Sequence, residues 1–441
     1  MNKCLQPVQG RPLASGAAMK SSPWSGGAPG PICSCMTQAP ADAATPVVSA
    51  FYDRFPYPGD PLQDGPPPGY NWRWCVDTAF AACSGALPAP SPDGRPLRIL
   101  DAGCGTGVST DYLAHLNPGG EILAVDISPG TLEVARERLR RSGGLERASV
   151  RIENRSLLEL QGEGPFDYIN SVGVLHHLRQ PEAGLKALAA LLRPGGLLHL
   201  FLYADGGRWE IHRTQRALTA MGVGSGEEGL RLGRQLFADL PEHNRLRRHH
   251  EQRWAIDCAA DANFADMYLH PQETSYNLER LLAFVASANL QFAGFSNPQV
   301  WDPARLLQGE LLERARALPQ RQQWQLVEDL DPDISHFEFF LSQGELSRQS
   351  WSNDGDLLAA SGQRNRCLWG WPGTALLDSD MAPLDLSADG LALLQALEAA
   401  PAGTALAALP LGWEPARIAA VARILQGQQV LLLQPCPDKA A

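Results

Sequence analysis

The strongest chemical signal in the chain lies between residues 101 and 107. Asp101 ends the apolar run Arg98-Ile99-Leu100, and Gly103, Gly105 and Gly107 then alternate with Cys104 and Thr106 before a helical pattern begins. Glycine is needed where backbone takes a positive φ or comes close to a ligand, and the helix start behind it offers unpaired N–H groups. The stretch reads as a ligand cradle. A second acid, Asp126, ends the next apolar run and is followed by Ile127. A carboxylate there suits the two ribose hydroxyls of an adenosine. Dinucleotide sites space their glycines as G-x-G-x-x-G with an acid about twenty residues further on. Here the spacing is G-x-G-x-G, which disfavours a nicotinamide cofactor. A second cluster is Asp266, Tyr268 and His270. Alternate residues of an extended segment share one side, so these three are expected to face the same way. His249 and His250 are adjacent and would not share a helix face, and no metal is expected.

Positioning these groups requires strands alternating with helices. Apolar runs at 97–102, 121–126, 149–154, 166–171 and 197–202 read as strands, the last apolar enough to be buried on both faces. Between them lie helical patterns carrying Tyr112, Leu113 and Leu116, then Leu132, Ala135 and Leu139, then Leu185, Leu188 and Leu192. Ser128 is placed as an N-cap with Pro129 at the first helical position. Such alternation predicts right-handed crossovers and a doubly wound, mostly parallel sheet. The pattern breaks over 204–272, where arginines and acids nearly balance. It resumes with a helix at 278–285, a strand at 290–296, a helical stretch at 303–330 and a strand at 334–341.

With the strand at 166–171 in place, the glycine loop, Asp101 and Asp126 together resemble class I S-adenosylmethionine-dependent methyltransferases. The likeness is to the small-molecule kind that includes quinone C-methyltransferases. It covers about residues 51–341 and implies a seven-stranded Rossmann-like sheet whose last strand is antiparallel, with 204–272 as a helical cap on the substrate side. It also implies S-adenosyl-L-methionine as cofactor, with Asp126 on the ribose. Gly103, Gly105 and Gly107 would pass under the ligand where a Cβ would clash. Asp101 would order the loop and reach the methionine ammonium through water, with Cys104 and Thr106 as lining. The family usually has an acid after the third strand to accept from the adenine amino group. This chain has Arg155, Ser156 and Leu157 there, so Ser156 is the candidate for the ring edge. Ser171, Val172 and Gly173 correspond to the loop beneath the methionine. One of His176 and His177 is then expected to face the transferred methyl as a proton acceptor; His176, Tyr268 and His270 are the catalytic candidates.

The chain has 441 residues, with 44% apolar and 19% charged residues, and so room for more than one domain. A net charge of −11 argues against sequence-independent binding to nucleic acid. No run reaches the roughly eighteen apolar residues of a membrane span. Nine scattered cysteines without C-x-x-C favour reduced thiols and a cytoplasmic location. Residues 1–44, rich in Gly, Pro, Ser and Ala, read as a disordered tail, with Met36 as an alternative start. The aromatic and proline-rich stretch from Phe51 to Trp74 is expected to pack over the core, either as a lid on the pocket or as an edge cover. The methyltransferase domain is placed at 45–345. A small C-terminal α+β module at 346–441 has a winged-helix-like order, with a strand starting at Cys367–Trp371, and is expected to serve interaction or homo-oligomerisation. The function expected is methyl transfer to a small organic molecule. The alternative is a regulatory module that binds the cofactor without chemistry.

Overall fold

The runs that read as strands are buried because helices cover both of their faces. The computed structural model describes residues 45–89, 93–373 and 375–436, all within one compact unit that spans Asp42–Ala441. The expected tail at 1–44 lies outside the described residues. In chain order the elements are α1 (Thr45–Arg54), α2 (Val76–Ser84), β1 (Arg98–Ala102), α3 (Val108–Leu116), β2 (Glu121–Asp126), α4 (Pro129–Ser142), β3 (Ser149–Asn154), β4 (Phe166–Val172), α5 (Pro181–Leu191) and β5 (Leu192–Tyr203). The cap holds α6 (Trp209–Ala220), α7 (Glu227–Asp239), α8 (Arg245–His249) and α9 (Asp261–Leu269). Then follow α10 (Leu278–Ala286), β6 (Gln291–Phe295), α11 (Gly309–Arg316), α12 (Gln320–Leu330) and β7 (His336–Ser342).

The seven strands lie in the order β3-β2-β1-β4-β5-β7-β6. β7 runs antiparallel to both β5 and β6, and the other pairs are parallel. Strand order reverses between β1 and β4, and a ligand crevice belongs at the carboxyl ends of strands at such a point. α4 begins as its sequence dictates: the Ser128 hydroxyl accepts from the Thr131 N–H, Pro129 stands at the start, and Gly143 closes the helix in the left-handed region. The stretch at 303–330 is two helices rather than one, because a proline, Pro319, stands immediately before α12.

After β7 come α13 (Asp354–Ala359), β8 (Ser361–Arg364), β9 (Leu376–Leu377), β10 (Pro383–Leu384), α14 (Ala388–Ala399), α15 (Pro415–Gly427) and β11 (Leu431–Gln434). β8 and β11 pair antiparallel beside a core that includes Leu357, Leu393, Leu394 and Ala422. No strand starts at Cys367–Trp371; Trp369 makes only an isolated bridge to Leu377. This part docks on α2. The Leu87 N–H donates to the Leu433 carbonyl (2.8 Å), the Thr78 hydroxyl to Asn365 Oδ1 (2.8 Å) and Trp351 Nε1 to the Gly85 carbonyl (2.6 Å). Gly85 takes φ 80°, and a Cβ there would lie 2.4 Å from the Gln349 carbonyl oxygen, so only glycine permits this approach.

A row of buried polar side chains crosses four strands behind the crevice. The Ser109 and Thr110 hydroxyls donate to Asp101 Oδ2, each at 2.7 Å, and Asn170 Nδ2 donates to Asp101 Oδ1 at 2.8 Å. Asn170 Oδ1 accepts from Trp74 Nε1 (3.0 Å) and from His199 Nδ1 (2.9 Å). His199 Nε2 then lies 3.3 Å from Glu338, which also pairs with Arg73 at 2.6 Å. Burial acts to raise the Glu338 carboxyl, but His199, Arg73 and the Ser296 hydroxyl outweigh it and hold it at about 2. Glu273 is likewise held at about 2, its burial being outweighed by the charge of Arg208 and by His212.

Both carboxyls sit below the ordinary 4.5. Their stabilisation is therefore complete above about pH 4.5 and is lost as pH falls towards 2, each contributing on the order of 3 kcal/mol. Denaturation midpoints measured from pH 6 to 2 should fall steeply over that window. They should fall less steeply in Glu338→Gln; an unchanged slope would refute this account.

Candidate active site

The cradle follows β1. Gly103, Gly105 and Gly107 take φ of 84°, 51° and 81°, conformations that only glycine adopts freely. A Cβ added at Gly103 would lie 2.3 Å from the Val174 side chain. At Gly105 it would lie 2.4 Å from the Tyr57 carbonyl oxygen, and at Gly107 2.8 Å from Ala135. These glycines thus let protein pack against the loop, which corrects the expectation that their missing side chains make room for a ligand. The position with open space is Gly173, at φ 74°, where a Cβ would meet nothing within 4 Å.

Asp126 ends β2 with its carboxylate turned to the loop. Gly105 N–H donates to Oδ2 and Ser128 N–H to Oδ1, each at 2.9 Å. Burial raises this carboxyl, against the lowering effect of those amides. Oδ2 keeps a further lone pair, Oδ1 also takes a long contact from the Thr131 hydroxyl (3.5 Å), and Asp126 lines a cavity of about 610 Å³. That is the size range of a site for a small ligand. Of the residues singled out in the sequence, the same cavity is lined by Gly103, Cys104, Gly105, Ile127, Ser156, Leu157, Val172 and Gly173. Arg155 lines it too, but its guanidinium is held by Glu153 and Glu163.

Asp101, Thr106, Gly107 and Ser171 stand one layer behind. Asp101 is 1% exposed, and three donors already share its two oxygens. Its position fits ordering the loop and does not fit reaching a ligand. Thr106 fastens the aromatic segment: its N–H donates to the Tyr57 carbonyl (3.1 Å) and its hydroxyl to the Pro58 carbonyl (2.8 Å). Gly107 starts α3, and the Ser171 hydroxyl donates to the Ala102 carbonyl (3.1 Å).

The other end of the cavity is built by the aromatic segment and the cap. Tyr52 and Tyr57 line it from α1 and the turn after it, with Tyr203 from the end of β5 and Asp266 from α9. The Tyr52 hydroxyl donates to Asp266 Oδ1 (2.8 Å) and the Tyr203 hydroxyl to Oδ2 (3.2 Å). Burial raises the Asp266 carboxyl, partly offset by His177 and Tyr52. The residues around 266 are helical, not extended as the sequence suggested. Two residues along a helix are about 200° apart, so Asp266 faces the cavity while Tyr268 turns into the cap. There Tyr268 bonds His250 Nδ1 (3.0 Å) and packs on Phe237 and Phe264.

The catalytic histidine candidates also move back a layer. His177 lines the cavity, whereas His176 is fully buried and stacked on Tyr203 at 3.9 Å. His270 lies behind His177, with ring centroids 3.8 Å apart. Burial, then the charge of His177, pushes His176 and His270 well below the usual imidazole range. His177, Asp266 and His270 bring one potential metal-ligand atom each within 4.8 Å of one another. The hydrogen bonds disfavour a metal there. Gln272 N–H donates to His270 Nδ1 (3.1 Å), so the neutral ring carries its proton on Nε2 and has no lone pair to offer. His177 has both nitrogens engaged, Nδ1 with the Gln272 carbonyl (2.9 Å) and Nε2 with His176 (3.1 Å).

Residues 100–198 match a family model described as a methyltransferase domain. An uncharacterized protein of Synechococcus, syc1184_c, is 48% identical over 400 residues, covering 89% of this chain and 94% of its own length. The ubiquinone biosynthesis O-methyltransferase of Xanthomonas euvesicatoria is 35% identical over 103 residues, 23% of this chain and 41% of that enzyme. Among solved structures, PKMT2 from Rickettsia typhi shares the fold with a TM-score of 0.55 at 18% identity, covering 83% of this chain and 77% of that one. The chain belongs to the class I S-adenosylmethionine-dependent methyltransferase family. It is a methyltransferase, as the matching domain describes.

Proposed function

We propose that the chain transfers a methyl group from S-adenosyl-L-methionine to a small organic molecule bound between the aromatic segment and the cap. The observation that carries this reading is a single cavity with the Asp126 cradle at one end and the Tyr52–Asp266–Tyr203 chamber at the other. Asp126 would accept the ribose hydroxyls, Oδ2 with its free lone pair and Oδ1 in place of its long contact with the Thr131 hydroxyl. Gly103, Gly105 and Gly173 would offer backbone to the methionine part, and Ser156 with Leu157 the adenine edge. Bound there, the cofactor supplies a methyl on a sulfonium. The protein orients the acceptor, and the segment around Tyr57 shields the reaction from water. A second solved form of PKMT2, in complex with AdoHcy, shows that this fold accommodates such a ligand.

No helix among the described residues is long and apolar enough to cross a membrane. The six described cysteines are unpaired, which supports a reducing, cytoplasmic setting. Calorimetry with S-adenosylhomocysteine, followed by incubation with S-adenosylmethionine and a metabolite extract, tests the proposal. Cofactor binding and an extract component heavier by one methylene are expected. A folded protein that binds no S-adenosylhomocysteine would refute it.

A further inference from the structure

We infer that the methyl acceptor is an amine, held as its ammonium by Asp266 beside Tyr52 and Tyr57. The inference rests on the functional reading above and adds the substrate class. Asp266 is 3% exposed and lines the cavity with one lone pair of each oxygen taken by a tyrosine hydroxyl, at 2.8 and 3.2 Å. A buried carboxylate is costly unless paired. Asp266 is bonded by two neutral hydroxyls, and His177 and Arg208 favour its charged form, but among the described residues no cation forms an ion pair with it. Tyr52 and Tyr57 have ring centroids 6.3 Å apart beside the cavity. Tyr203 lends only its hydroxyl, because His176 and the Arg208 guanidinium already cover its ring at 3.9 and 3.4 Å. Aromatic faces attract cations, most strongly where water is excluded.

The remaining charges point the same way. Asp60 and Asp257 line the exposed edge of the same cavity. Each of its two arginines pairs with a glutamate, Arg208 with Glu273 at 3.0 Å and Arg155 with Glu163 at 2.7 Å, although among the described residues the buried Arg208 Nε has no hydrogen-bond partner. His177 turns its nitrogens to Gln272 and His176. An anionic acceptor would meet Asp60, Asp257 and Asp266 and only arginines whose charge a glutamate already balances, whereas a cation is drawn in at the edge and held at depth. In the reaction the ammonium gives one proton to the Asp266 carboxylate. The freed nitrogen lone pair forms the N–CH3 bond, and the C–S bond breaks with its pair staying on sulfur. The product leaves as the methylated ammonium, and Asp266 releases its proton to water.

The test is calorimetry on the full chain saturated with S-adenosylhomocysteine, using benzylammonium and its uncharged counterpart benzyl alcohol. Benzylammonium is expected to bind about tenfold tighter or more. Asp266→Asn should bring the two within about twofold, with S-adenosylhomocysteine affinity little changed. Equal binding of the pair, or none, to the wild-type complex overturns the inference while leaving the cofactor reading intact. Failure of S-adenosylhomocysteine itself to bind removes both. Transfer of labelled methyl in a cell extract then separates sources: label on nitrogen in the low-molecular-weight filtrate means a free amine. Label on nitrogen in retained polypeptide means a lysine side chain, which still supports the amine chemistry. Label on oxygen or carbon overturns it.

Discussion

Asp126→Ala is expected to lower affinity for S-adenosylhomocysteine about a hundredfold while leaving the fold in place. A carboxylate receiving two ribose hydroxyls makes two charge-assisted bonds, whose loss costs about 3 kcal/mol, or roughly two powers of ten. The fold should tolerate the change because burial raises this carboxyl, so ionised Asp126 is held at some cost. What the variant does lose is the acceptor for the Gly105 and Ser128 amides, both at the edge of the cavity. Asp126→Asn separates the two contributions. It keeps the shape and one acceptor oxygen but sets an amide NH2 against one of the backbone N–H groups, and an intermediate loss of about tenfold is expected. Calorimetry decides; a change of less than about threefold in the alanine variant would remove Asp126 from the site.

Asn170→Leu should destabilise the protein by about 3–4 kcal/mol, the largest loss expected from one substitution outside the cavity. Asn170 is 1% exposed and holds three partners at once: Asp101 through Nδ2, and Trp74 and His199 through Oδ1. Leucine is close in size, so little of the cost is a cavity. It comes from two donors, Trp74 Nε1 and His199 Nδ1, left without their acceptor and from a buried carboxylate left with one donor fewer. Asp101 would keep the Ser109 and Thr110 hydroxyls but would lose a donor that favours its charged form. Its proton affinity should rise, and the start of α3 should loosen with it. A urea midpoint within error of wild type would show that the row across β1, β4, β5 and β7 contributes little.

Strand alternation and the cradle were legible because their signals are local. The run 98–107 contains its own strand, turn and helix start, and Asp126 stands at the end of an apolar run that can only be a buried strand. The chamber was less legible. Tyr52 and Asp266 are 214 residues apart and Tyr203 and Asp266 are 63 apart, yet they share hydrogen bonds. No spacing rule joins an arm, a strand end and a cap helix. His176 and His177 carry the same side chain in adjacent positions, so only packing against Tyr203 and Gln272 could choose which one lines the cavity. The assignment of Tyr268 turned on period: alternation places it beside Asp266 on a strand, and α9 places it opposite.

The amino-acid sequence by itself determined the doubly wound sheet, the position of the glycine loop and the acid that stands over it. These follow from side-chain periodicity, burial and backbone freedom within about ten residues of chain. Tertiary structure alone decided which side chains meet beyond the cradle, and that the loop glycines make way for Val174, Tyr57 and Ala135. Such choices depend on which distant segments compete for the same space, and that competition is settled only when the aromatic arm, the cap and the sheet close on one another.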